Sequence, residues 1–189
     1  MNDEVISWYV NGFTGVKGTC YDGQYLYDTD HTIAADGSGA TLSNKGTAEF
    51  STTALDAALL VVAGWEDPSG RKLKVKMTHI LHGPTLAATM RATFKKSTVD
   101  AGGDNEYYEM LIPIEVPEIE DGSWFLIDAR KRVRPVILQI RRDPTLSSPS
   151  NKMDDHTAFH TKNYEFGTEC TFGCGYGPWH LTWASDASA

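Results

Sequence analysis

A chain of 189 residues, 41% hydrophobic and 22% charged, can build one domain with a real core and perhaps a small second lobe, and is too balanced to be disordered or collagen-like. Its formal net charge of -8 argues against gripping nucleic acid through a basic stripe. No apolar run reaches bilayer length, and Met1-Asn2-Asp3-Glu4 is acidic where a signal peptide is basic, so the expectation is a soluble protein made inside a cell, without membrane contact.

In chain order, Val5, Ile6, Tyr9 and Val10 follow a helical rhythm that Asn11-Gly12 is expected to end through the left-handed turn glycine tolerates. Tyr21-Asp22-Gly23-Gln24 reads as a tight turn between short aromatic strand pieces, and Asp36-Gly37-Ser38-Gly39 as a surface loop. A helix from about Thr53 to Ala63, capped by Ser51 or Thr52, carries Leu55, Leu59 and Val62 on one stripe. After a turn at Asp67-Pro68-Ser69-Gly70, Leu73, Val75 and Met77 alternate with Lys74, Lys76 and Thr78 as a half-buried strand would. Pro84 opens a second helix through Leu86, Met90 and Phe94, ending near Lys95-Lys96.

A polar loop with Gly102-Gly103 at its tip follows, and then strands dominate. Leu111 to Val116 carries Pro113, which suggests an edge strand or arm. Ser123 to Asp128 and Pro135 to Arg141 read as strands, the latter with Val136, Leu138 and Ile140 on one face. Residues 143–155 read as a polar linker, and 156–183 as two aromatic strands joined by a glycine-rich turn. Helix, strand, helix and then several strands point to an α+β domain, with Trp124, Trp179 and Trp183 expected inside.

Candidate chemistry is sparse. His156 and His160, followed by Cys170 and Cys174, offer zinc-ligand types, but on a strand the two histidines stand roughly 13 Å apart, too far for one ion. The two thiols flank Thr171-Phe172-Gly173 and can pair only if that segment turns tightly; three cysteines in all, with Cys20 alone, favour reduced and buried thiols. Asp28, Asp30 and His31 could hold a hydrolytic metal with His156 and His160, though carboxylates in such a turn more often bond their own backbone. Glu115, Glu118, Glu120 and Asp121 look like a solvated loop or an inter-subunit rim rather than an acid/base pair. No phosphate-binding glycine loop and no nucleophile elbow is present. What stands out is basic: Arg130, Lys131, Arg132 and Arg134, then Arg141 and Arg142, in an acidic chain. Either this is a solvated strand turn, or one copy's basic segment meets another's acidic loop, with Arg130, Arg132, Arg134, Arg141, Arg142, Glu118 and Glu120 as candidates for that contact.

The run Gly122 to Asp128, with Arg134 to Pro144, resembles the Mu-like prophage major head subunit family. In the same order, Asn11 to Thr14, Tyr21 to Gln24 and Asp28 to His31 look like that family's middle, and Phe166-Gly167 to Leu181 like its closing strands, so the resemblance spans nearly the whole chain. It implies a major capsid protein of the Hong Kong 97 type (HK97-like), with no catalytic residues and no cofactor, built into the pentamers and hexamers of a tailed-phage shell around double-stranded DNA. On that basis residues 1–50 hold the end of a spine helix and a hairpin region of the peripheral domain. Residues 51–128 hold axial-domain helices and strands, and 129–189 the peripheral return strands and a C-terminal β region. Family members are longer, and the N-arm, extended loop and most of the spine helix are expected to come from a separate chain or to have been removed. Portal and decoration proteins are further implied partners, and the virion, assembled in a bacterial cytoplasm, is the implied location. The competing readings are a β-rich tail or receptor-binding module using exposed aromatic side chains, and the metal hydrolase.

Overall fold

The computed structural model describes residues 2–34, 39–98, 102–119, 121–147 and 166–187. The chain divides into two compact units, one comprising Met1–Ile137 with Gly175–Ala189 and the other Leu138–Cys174.

The first unit is built on a mixed five-stranded sheet in the order β1-β7-β4-β2-β3, formed by Lys45–Gly46 (β1), Thr182–Ser185 (β7), Trp124–Ile127 (β4), His79–His82 (β2) and Ile112–Glu115 (β3). β4 runs antiparallel to both neighbours, with Ile127 opposite His79 and Thr182 at one end and Trp124 opposite His82 and Ser185 at the other. β2 and β3 are parallel, as are β1 and β7. All four residues of β4 are buried, whereas an alternating pattern would leave one face wet. The strand is covered on both faces, which is why its sequence is a continuous apolar run.

Three helices flank this sheet. α1 (Asn2–Val10) runs directly into a 3-10 turn at Asn11–Phe13. Gly12 is therefore not a left-handed stop: a Cβ there would stand 2.8 Å from the Tyr27 ring, so glycine serves close approach. α2 (Thr52–Gly64) begins at Ser51, whose hydroxyl accepts from the Ala54 amide, and ends where Lys72 Nζ donates to the Gly64 carbonyl. It buries Leu55, Ala58 and Val62, leaving Leu60 and Val61 outward. Pro84 opens a 3-10 turn leading into α3 (Ala87–Phe94), which buries Met90 and Phe94 and ends where the Asn105 amide donates to the carbonyls of Thr93 and Lys96.

Trp124, Trp179 and Trp183 lie in the core, as expected. Phe13, Tyr27 and Phe125 form a ring cluster under α1, with centroids 4.8 to 5.8 Å apart. The expected strand at 73–77 is absent. Its alternation survives as alternating burial, but Lys74 takes a positive φ of 53°, which breaks the extended run before His79 starts β2. Tyr21 to Gln24 does turn tightly, with the Gly23 amide bonded to the Cys20 carbonyl, but no strands flank it. The loop at 36–38 and the two histidines at 156 and 160 lie outside the described residues.

The second unit contains most of a two-stranded ribbon, β5 (Val136–Ser147) and β6 (Gly167–Tyr176). Ser147 Oγ donates to the Gly167 carbonyl, setting the end of β5 beside the start of β6. Two expectations need correction here. Residues 143–147 continue β5 rather than opening a linker, and Gly173 and Gly175 sit inside β6 rather than in a turn. Ladder hydrogen bonds decide strand extent where side-chain patterning is polar.

Candidate functional site

The basic segment is a turn between β4 and β5, organised by one carboxylate. Asp128 is fully buried at the end of β4. It accepts the Arg130 amide and Nε on Oδ1 at 3.0 Å each, and Arg130 Nη2 and the Lys76 amide on Oδ2 at 2.9 and 3.2 Å. Burial alone would raise this carboxyl, but the Arg130 guanidinium and the two amides hold it below the usual carboxylate range. Arg130 thus folds back on its own chain, and Arg134 donates to the Ala129 carbonyl. Lys131 and Arg132 stay exposed, with Val133 between them and Arg134. A Cβ on Gly177 would come within 2.2 Å of the Arg134 carbonyl oxygen, and the Gly177 amide donates to the Pro135 carbonyl, so this turn is seated backbone against backbone.

The acidic segment projects from the other end of β4. Glu115 closes β3 beside His82, which pairs with Trp124, while the basic turn follows Ile127. The two segments are therefore separated by at least the length of β4, roughly 10 Å. Glu118 is exposed on a turn whose neighbours Val116 and Ile119 are buried; Asp121 accepts the Ser123 amide; Glu120 lies outside the described residues. A Cβ on Gly83 would stand 2.0 Å from the Ile119 carbonyl oxygen, so this loop too is pinned by close approach at a glycine.

Arg141 and Arg142 belong to the ribbon. Both are exposed, and Arg142 pairs with Glu169 at 3.1 Å with both side chains more than half exposed, a geometry that contributes little to stability. Cys170 and Cys174 lie along β6 itself, about 13 Å apart by strand rise, which excludes pairing within the strand. Cys170 is exposed, contrary to the buried thiol expected. Cys20 is buried, and burial followed by the Asp22 charge pushes its thiol up to about 12, far from a nucleophile.

The residues suspected of holding a metal are used separately. Asp28 Oδ1 accepts the Thr29 amide, Asp30 accepts the Gln24 amide group, and His31 Nδ1 lies 2.7 Å from Asp22, not from either aspartate. Among the described residues no group of three potential ligands converges. The Asp22–His31 pair is completely buried, and the imidazole stacks on Trp179 at 4.3 Å.

Sequence reasoning missed this pair and also Asn44. Asn44 Nδ2 reaches the carbonyls of Leu26, Trp179 and Thr182, while its Oδ1 accepts the Asp28 amide, fastening the tyrosine-rich loop to the C-terminal strand. Nothing local in the sequence marks it, because every partner except Asp28 and Leu26 is over 130 residues away.

No helix among the described residues is long and apolar enough to cross a membrane. Residues 2–53 and 114–188 match the family described as Mu-like prophage major head subunit gpT. The Mu-like prophage FluMu major head subunit of Haemophilus influenzae is 21% identical over 170 residues, covering 90% of this chain and 34% of that protein. A chain of the procapsid of bacteriophage JBD30 superimposes with a TM-score of 0.47 at 20% identity, covering 97% of this chain and 39% of its own. The chain thus spans about a third of the length of the curated relative it matches. With more than half of its residues matched, the chain belongs to the Mu-like prophage major head subunit family.

Proposed function

We propose that the chain is a structural major capsid protein of a tailed phage or prophage, that it is not an enzyme, and that it assembles with copies of itself into the pentamers and hexamers of an icosahedral shell enclosing double-stranded DNA. The fold assigned is the HK97-like one, with residues 1–50 holding the end of the spine helix and a hairpin region of the peripheral domain, 51–128 the axial-domain helices and strands, and 129–189 the peripheral return strands and a C-terminal β region. Portal and decoration proteins are the other partners, the site of action is the virion, and assembly takes place in the bacterial cytoplasm.

Family membership carries this reading, and the surface is suited to it. Exposed charge is sorted by sign, acidic at Glu115 and Glu118 and basic at Lys131 and Arg132, past opposite ends of one strand. Sorted charge of this kind complements between copies. The net charge of -8 suits a lining that holds packaged DNA without gripping it. Negative-stain microscopy of the purified protein is expected to show closed regular particles. A compact monomer at high concentration would overturn the assignment.

A further inference from the structure

We propose that the outer face of β3 is the docking surface for the basic turn of a second copy of this chain; the proposal rests on the shell-forming reading above and names one of its contacts. The Ile112 amide donates to Thr78 and the Val116 amide to His82, so the residues at 112, 114 and 116 face β2, and 113 and 115 face outward. The first outward position is Pro113, which has no N–H. The edge is thus blunted against strand addition, and a partner has to be recognised by side chains.

Those side chains form an apolar strip ending in charge. Ile112 and Ile114, two residues apart on one face, are 53% and 41% exposed, and Met110 before them is 44% exposed. Glu115, the last residue of β3, leans by the same alternation to the opposite face at the strand's end, and Glu118 stands on the turn just beyond it; both are exposed and form the charged rim there. The basic turn is its counterpart: Val133 is 48% and Ile137 43% exposed, flanked by Lys131 and Arg132. Each surface has an apolar centre with a rim of one sign, and the signs are opposite, which makes each surface the complement of the other.

Both surfaces are also set before they meet. Gly83 and Gly177 seat the two segments backbone against backbone, where an added Cβ would stand 2.0 Å and 2.2 Å from a carbonyl oxygen. Ordering costs on docking are correspondingly low. The acidic rim and the basic turn lie past opposite ends of β4, so among the described residues they form no ion pair within one copy. A contact between two different surfaces of identical chains is heterologous, and repeated around an axis it closes into a ring.

The test uses charge exchange in the full chain, read by light scattering over a concentration series. Glu115→Lys with Glu118→Lys is expected to raise the concentration needed for assembly by about tenfold or more, as is Lys131→Glu with Arg132→Glu, since each sets like charges face to face. Combining all four in one chain restores opposite signs and is expected to restore assembly. These positions are exposed, and melting temperatures should match the parent. As a charge-neutral check, Ile114→Ser and Val133→Ser are each expected to weaken assembly without lowering the melting temperature. Particles indifferent to both reversals, or a fourfold variant that folds but fails to assemble, would overturn this contact and leave the shell reading standing. A parent chain that forms no particles overturns the shell reading itself.

Discussion

The sheet and the ribbon treat the same kinds of residues in opposite ways. In the sheet, β4 buries Trp124, Phe125, Leu126 and Ile127, and three polar groups buried with them are matched: Asp128 by Arg130 and Lys76, Asn44 by three carbonyls and an amide, Thr182 by the Leu126 carbonyl and the Tyr27 hydroxyl. In β5 and β6, Ile140, Leu146 and Phe172 remain substantially exposed, as does Phe166 just before β6, and the ribbon's ion pair is solvated. A two-stranded ribbon is at best marginal in water by itself. The sheet is therefore stabilised by its own interior, whereas the ribbon's apolar side chains gain further burial only when something else covers them.

The sharpest way to break this contrast is to truncate one phenylalanine in each region. Phe125→Ala is expected to cost about 3–5 kcal/mol, enough to unfold much of a marginally stable domain, because it opens a cavity between Phe13, Tyr27 and the sheet. Phe172→Ala is expected to change the stability of the unassembled chain by less than about 0.5 kcal/mol. Urea denaturation of both variants tests the pair, and equal losses would show that the ribbon is as self-sufficient as the sheet.

Asn44→Ala ranks next. It leaves the Leu26, Trp179 and Thr182 carbonyls without the Asn44 donor and the Asp28 amide without its acceptor, and a loss of about 1–3 kcal/mol is expected. Hydrogen exchange should rise at the Asp28 and Ala184 amides, the latter donating to the Asn44 carbonyl.

A pH series sharpens the comparison further. The folded Asp128 carboxyl lies below its unfolded value near ~3.9, so its contribution is present above about pH 4 and is lost as pH falls from there through the lower folded value. Asp128→Asn is expected to lower stability at neutral pH by about 1–2 kcal/mol and to flatten the acid limb of the curve. An unchanged acid limb would mean that other carboxylates govern it.

What was legible from the residues alone follows the same division. α2 and α3 could be read because 3.6-residue periodicity coincides with real burial at Leu55, Val62, Met90 and Phe94, and Pro113 announced an edge strand because a proline cannot feed a central ladder. Alternation misled at Leu73 to Met77, where burial alternates but no partner strand lies alongside. The far reach of β5 past Asp143 and the glycines inside β6 were hidden because Asp143, Pro144, Gly173 and Gly175 are residues that ordinarily mark loops and turns, and no burial there imposes an apolar alternation. Of the charged contact candidates, the residue types were readable, but the distinction between Arg130, committed to Asp128, and Arg132, left free of such a bond, depends on how the turn closes. The burial of His31 against Asp22 and Trp179 is a tertiary event with no local mark.

The smallest effect expected is also the most discriminating for the ribbon. Arg142→Ala and Glu169→Ala each remove one partner of an exposed pair, and in the unassembled chain a double-mutant cycle should return a coupling of about 0.2–1 kcal/mol that shrinks further as salt is raised. If the ribbon becomes covered on assembly, the same two side chains leave bulk water, their interaction strengthens as the local dielectric falls, and the coupling measured through particle stability should exceed that in the free chain. Salt then becomes the reporter: sensitivity comparable in free and assembled protein would mean the pair stays solvated throughout, and that the ribbon's exposed face is not what the neighbouring copy covers.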